Sequence, residues 1–112
     1  MDNLSELVDR ADLKDVAQRV CERIKSMDVD DLSSMRRSAK ARDLVRDGLS
    51  GNRSEFTTSG REARLNVLRG NGVVRRAVIH ADGDVCCDCP DSHKGYLCKH
   101  KRALAGIILL RL

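Results

Sequence analysis

The sequence is poor in aromatic residues and in proline. Its 112 residues include one Phe, one Tyr, one Pro and no Trp, so the core must be built from aliphatic side chains. Two aromatic rings also argue against a base-stacking platform for single-stranded nucleic acid or RNA, which needs several exposed rings. No apolar run approaches the roughly 20 residues that cross a bilayer, so the sequence predicts no transmembrane helix.

The size and composition are those of one globular domain. Hydrophobic residues make up 41% of the chain and charged residues 34%, which separates it from disordered and collagen-like classes. A chain of this length buries only about two-thirds of its unfolded surface, so a bound metal can contribute to its stability. We divide the expected domain into a helical segment, residues 1–47, and a β-rich segment, residues 48–112.

The cysteines and the first residues of the sequence predict the cellular compartment in which the protein is found. Five cysteines is an odd number, and four of them fall between Cys86 and Cys98. This distribution favours a metal cluster in a reducing compartment over a disulfide framework. The sequence Met1-Asp2-Asn3 is polar and acidic, unlike a secretory leader, and we expect a cytoplasmic protein.

Two helices are predicted in the first segment. Apolar residues recur at three- and four-residue steps from Leu4 to Met27, with Asn3 as N-cap, although the pattern leaves a break near Asp12 open. The acidic connector 28–31 is then expected to cap a second helix from Leu32 to Asp47, ended by Gly48.

A small antiparallel sheet and a last helix are predicted in the second segment. After Gly48 the hydrophobic period changes toward two, and the intervening glycines mark turns. The predicted strands surround Phe56, span Ala63–Arg69 and Val73–Ala81, and run through Val85 into the cysteines. A final helix, Lys101–Leu112, is apolar on most sides and must be largely covered, within the domain or by a second copy. The predicted class is α+β.

The pattern CxC followed by CxH predicts a metal site. Cys87 and Cys89 are separated by eight residues from Cys98 and His100. Three thiolates and one imidazole suit tetrahedral zinc, and four protein ligands leave no vacant position for water. The sequence therefore predicts one structural zinc ion and no catalytic residues.

Two alternatives concern individual ligands. On a strand, residues i and i+2 face the same side, so Cys87 and Cys89 can share one ion while Cys86 faces away. The second register, Cys86-x-x-Cys89, stays open, and His93 could compete with His100. His80 and Cys21 are interpreted as structural residues.

The cysteine segment resembles the SWIM zinc finger family, whose motif is CxC, a variable spacer and CxH. The resemblance includes a strand leading into the cysteines, the step Cys89-Pro90-Asp91, and an apolar helix after Cys98-Lys99-His100. It covers roughly residues 40–112. It implies a binding role, to DNA or to proteins, in transposase, chromatin or recombination proteins.

Charge gives a weak preference for DNA as the partner. Residues 1–50 hold ten basic and eleven acidic side chains, a net −1, whereas residues 51–112 hold eleven and six, a net +5. A basic surplus is compatible with phosphate contacts, and it can also balance a thiolate-rich zinc site. The candidate DNA contacts are Lys99, Lys101, Arg102, Arg75 and Arg76.

The alternative hypothesis is a protein–protein adaptor or homodimer that uses the apolar helices. An enzyme is the third class, and the sequence offers no nucleotide loop or catalytic triad to support it. No membrane and no small-molecule substrate is expected.

Overall fold

In the part of the chain that the structure describes, four helices and a four-stranded antiparallel sheet make up an α+β fold. A computed structural model describes residues 3–50 and 53–112 of the chain. The elements in chain order are α1 (Asn3–Met27), α2 (Leu32–Ser50), β1 (Ser54–Ser59), β2 (Glu62–Leu68), β3 (Val74–His80), β4 (Val85–Cys87), α3 (Pro90–His93) and α4 (Lys99–Arg111).

Helix α1 is continuous, so there is no break at Asp12. Its buried positions are Leu13, Val16, Ala17 and Val20, which recur at steps of three, one and three and form one face. The capping role predicted for the side chain of Asn3 lies outside the described side chains.

Helix α2 begins as predicted and ends later. The carboxylate of Asp31 accepts a hydrogen bond from the backbone N–H of Ser34 at 3.1 Å, which confirms the capping role of the connector. The prediction that Gly48 ends the helix is wrong, because the helix continues to Ser50. A helical glycine costs only about 1 kcal/mol, and here Leu49 packs against the core while Arg111 donates to its carbonyl at 2.9 Å.

The sheet has the strand order β1-β2-β3-β4, with every neighbouring pair antiparallel. The predicted strands are confirmed, and their ends shift by about one residue. Alternation along β2 buries Ala63, Leu65 and Val67 on one face, and Ala77 and Ile79 of β3 lie on the same face. Helices α1 and α4 cover this face.

Helix α4 forms the centre of the core. It begins at Lys99, two residues before the predicted start, because Cys98 acts as its N-cap. Helices α1 and α2 and the sheet pack around it, which explains why it is apolar on most sides. Its fully buried apolar residues are Ala103, Leu104, Ala105, Ile107 and Ile108, whereas Leu110 near its end is 66% exposed.

The segment between β4 and α4 contains a helical turn that the sequence did not predict. Helix α3 begins with Pro90, whose ring is suited to the first helical position. Gly95 has a φ of 89°, a conformation that favours glycine, and it redirects the chain toward Cys98 as expected. Among the described residues, no helix is both long enough and apolar enough to span a membrane.

Candidate metal centre and the basic groove beside it

Three elements bring the four predicted metal ligands together. Cys87 is the last residue of β4, Cys89 precedes α3, Cys98 caps α4, and His100 lies in the first turn of α4. Their donor atoms all lie within 4.8 Å of one another. The CxC and CxH pairs therefore converge on one point at the junction of sheet and helix.

The sheet register selects Cys87 over Cys86. Cys87 pairs with Ala77, a fully buried residue of the inner face. Cys86 pairs with Val78, its side chain is exposed, and it is not part of the cluster. The side chains alternate as a strand requires, so the Cys86-x-x-Cys89 register is not the one that the structure assembles.

The donor set and its spacing fit zinc. Bonds of about 2.3 Å to sulfur and about 2.0–2.1 Å to nitrogen, set at the tetrahedral angle, separate a sulfur from a nitrogen by about 3.6 Å. The Sγ atom of Cys87 lies 3.6 Å from Nδ1 of His100. Cys89, Cys98 and His100 are buried, which shields the site from water. The four residues form a structural site for one zinc ion, with each coordination position filled by protein.

Hydrogen bonding within the cluster favours a thiolate at Cys98. The pKa of Cys98 is lowered, first by the hydrogen bond from the Cys87 thiol and then by contacts with His100 and the backbone N–H of Lys101. The pKa of Cys87 is raised, because its thiol donates to Cys98 and because it is partly buried. A zinc ion supplies the positive charge that allows the thiols to ionise together.

Strand β3 holds the turn between the first two ligands. The guanidinium of Arg75 donates to the carbonyl oxygen of Asp88 at 3.2 Å, and the Asp88 carboxylate accepts the backbone N–H of Arg76 at 3.0 Å. The side chain of Arg76 donates to Asn66 on the exposed face. Two predicted DNA contacts thus have protein partners, and that of Arg75 supports the zinc site.

Arg102 corrects the predicted set of DNA contacts. Its side chain is 2% exposed, so it cannot reach a phosphate at the surface. Its Nε donates to the carbonyl oxygen of Leu97 at 2.6 Å, and its Nη1 lies 3.3 Å from the Asp28 carboxylate. The same Nη1 donates to the hydroxyls of Ser34 and Ser38. We call this group the buried junction, since it ties α2 and the connector before it to the residue preceding Cys98.

A groove of about 410 Å³ opens beside the zinc ligands. Helix α2 forms one wall, the segment around α3 and the start of α4 forms the other, and the β2–β3 turn contributes Arg69. We call it the basic groove. Its lining residues are Ser33, Arg36, Arg37, Lys40, Arg69, Cys89, Pro90, Asp91, Cys98, Lys99 and His100.

Charge in the basic groove is mostly positive. Asp91 is the one carboxylate in the lining, and its Oδ2 accepts from Nε of Arg37 at 2.8 Å. The same guanidinium covers the ring of Tyr96 at 4.2 Å. The pKa of Lys99 is lowered by burial and then by the positive charges of Arg69 and Lys40.

The other residues singled out in the sequence lie at different places in the structure. Lys99 lines the basic groove, while Lys101 is half-buried and lies outside its lining. His93 is exposed and outside the metal cluster, and His80 lies between Glu62 and Asp82 at the sheet end. Cys21 packs against the core.

The sequence analysis missed Arg36 and Lys40 as groove residues. Their spacing of four places them on one face of α2, a signal visible in the sequence. That this face lies beside the zinc ligands depends on the packing of α2 against α4.

Comparison with known proteins identifies a family for the metal centre. Residues 70–108 match the family model of the SWIM zinc finger, a range that includes all four ligands. No curated protein and no solved structure matches the chain. The match agrees with the ligand geometry, and residues 70–108 of this chain are a SWIM zinc finger.

Proposed function

We propose that this protein is a DNA-binding accessory or regulatory module whose fold is held by one structural zinc ion. The observation that carries the proposal is the surplus of cations beside the zinc finger. Among the described residues, the basic groove has five cationic side chains and one carboxylate, and that carboxylate is paired with Arg37. A surface of this kind attracts a polyanion.

A binding role also fits the closed metal site. Zinc catalysis requires an open coordination position for water or substrate, and here four protein ligands occupy the tetrahedron. We therefore propose binding and not catalysis. The proposed location is the cytoplasm, in contact with the nucleoid, or the nucleus.

The experiment is fluorescence anisotropy of the zinc-loaded protein with mixed-sequence DNA across a salt series. We expect affinity to fall steeply as salt rises, because phosphate contacts release counterions. A zinc-stripped sample is the matched control and should bind weakly. No binding at low salt by the zinc-loaded protein would refute the proposal.

A second candidate function, a protein adaptor, is favoured by apolar exposure where α1 connects to α2. Val29 is 76% exposed and Leu32 is 69% exposed, where the chain passes from α1 to α2. The affinity of an apolar contact made there, with a partner or a second copy, should change little with salt concentration. The same salt series therefore separates the two functions.

A further inference from the structure

Four cations of the basic groove have no ion-pair partner among the described residues. Arg36 and Lys40 extend from α2, Arg69 from the β2–β3 turn, and Lys99 from the first turn of α4. Arg37, the fifth cation, is paired with Asp91. Three separate elements thus direct unpaired positive charge toward one cleft.

This charge exceeds what the zinc site can balance. Three thiolates and a neutral imidazole around a zinc dication carry a net −1. Since the pair of Arg37 and Asp91 is neutral, the four unpaired cations leave a net +3 beside the finger. The groove is therefore suited to an anionic occupant.

The lining favours a phosphate backbone over bases. Among the described residues its one aromatic ring is that of the zinc ligand His100, and it contains no Asn or Gln, so it lacks a free aromatic ring to stack bases and the amides that read adenine. The nearby ring of Tyr96 is already covered by Arg37. Arg36 and Lys40 are about one helical turn apart along α2, which spreads their charge along the groove.

We propose that the basic groove binds the phosphate backbone of double-stranded DNA without sequence preference, with Arg36, Lys40, Arg69 and Lys99 as the phosphate contacts. This inference rests on the proposed DNA-binding function and specifies its surface. The sheet cations Arg75 and Arg76 are not part of this surface, because they lie outside the groove lining and donate to Asp88 and Asn66.

The experiment compares charge-neutralising variants of the zinc-loaded chain on DNA. The groove variant carries Arg36→Gln, Lys40→Gln, Arg69→Gln and Lys99→Gln. The matched controls are Arg76→Gln on the sheet and Arg23→Gln, an exposed cation of α1. Zinc content and circular dichroism establish that each variant is folded. The probes are two duplexes of unrelated sequence and one single strand of the same length.

We expect the groove variant to bind both duplexes at least about tenfold more weakly at 0.1 M salt. Log affinity falls with log salt, and each lost phosphate contact makes this negative slope shallower by about 0.9. The slope of the groove variant should therefore be shallower by about 3 to 4. The controls should bind as the unmodified protein does, and the single strand should bind more weakly than either duplex.

Three results would overturn the inference in different ways. If Arg76→Gln weakens binding and the groove variant does not, DNA binding stands and the groove is the wrong surface. If one duplex is strongly preferred or the single strand binds best, the groove reads bases. If the unmodified protein binds no DNA, both the groove and the proposed function fail.

Discussion

Basic residues lie against both sides of α2 and have opposite surroundings there. On the inner side, Ser34 and Ser38 meet Arg102 of α4 in the buried junction. On the groove side, Arg36 and Lys40 face the same cleft as Lys99, which lies one turn before Arg102. A charge count cannot separate these basic residues, whereas burial and partners assign Arg102 to the structure and leave the others free for the proposed phosphate contacts.

The zinc ligands lie next to both the buried junction and the basic groove, and their loss should have the largest effect on stability. Cys98→Ser should abolish tight zinc binding and unfold the second half of the chain, because structural zinc contributes about 10–16 kcal/mol in finger peptides. Metal content and the thermal transition by circular dichroism provide the measurement. Cys86→Ser is the matched control and should change neither, whereas the reverse result would move the register by one residue.

Breaking the buried junction should have the next largest effect. Arg102→Met keeps the length of the side chain and removes its hydrogen bonds to Leu97, Ser34 and Ser38, leaving Asp28 without its cation. Loss of one partner of a buried pair costs about 3–5 kcal/mol, and we expect the lower end because Asp28 is 26% exposed. Urea denaturation measures the loss.

The control for this prediction is Arg36→Met, on the opposite side of α2. It is exposed, so its effect on the free energy of unfolding should stay within about 0.5 kcal/mol. Equal losses in the two variants would show that Arg102 does not connect α2 to the finger.

Much of this arrangement could be predicted from local patterns. The alternation around Val85 and Cys87, the CxC and CxH pairs and the apolar final helix each depend on short-range geometry, and each is confirmed. The end of α2 was missed because the contacts that accompany its extension past Gly48 are tertiary: Leu49 packs against the core and its carbonyl accepts from Arg111. Contacts between residues distant in sequence are not visible in a local pattern.

The same limitation explains the error at Arg102. In the sequence, Lys99, Lys101 and Arg102 form a basic run beside the ligands, and their periodicity does not reveal which of them points inward. Apart from the nearby Leu97 carbonyl, the partners of Arg102 are more than sixty residues away, on α2 and in the connector before it. Only the packed structure distinguishes the buried guanidinium from the cations of the groove.

The smallest expected effect is the pH dependence of stability that comes from the pair of Arg37 and Asp91 at the edge of the basic groove. The hydrogen bond from Arg37 holds the pKa of Asp91 below its usual value, against the opposing effect of burial. A lowered pKa in the folded state means that Asp91 stabilises the fold above about pH 4 and that this contribution is lost as the pH falls through the folded pKa. Asp91→Asn should therefore be less stable than the unmodified protein at pH 6, and the difference should shrink as the pH falls, within the range in which the ligands still hold zinc.

Urea denaturation at several pH values checks this prediction, with Asp43→Asn as the control at an exposed helical pair. Because Asp91 is 41% exposed, solvent screens its interaction with Arg37 and the difference should be small. A difference in stability between Asp91→Asn and the unmodified protein that grows as the pH falls would contradict the lowered pKa of Asp91.

The most direct test of the account is X-ray absorption at the zinc edge of the metal-loaded protein. The closed site predicts three sulfur ligands at about 2.3 Å and one nitrogen at about 2.0–2.1 Å, with no oxygen ligand. That result would establish the zinc site as closed and structural. A water oxygen in the shell would contradict it and return an enzyme to consideration.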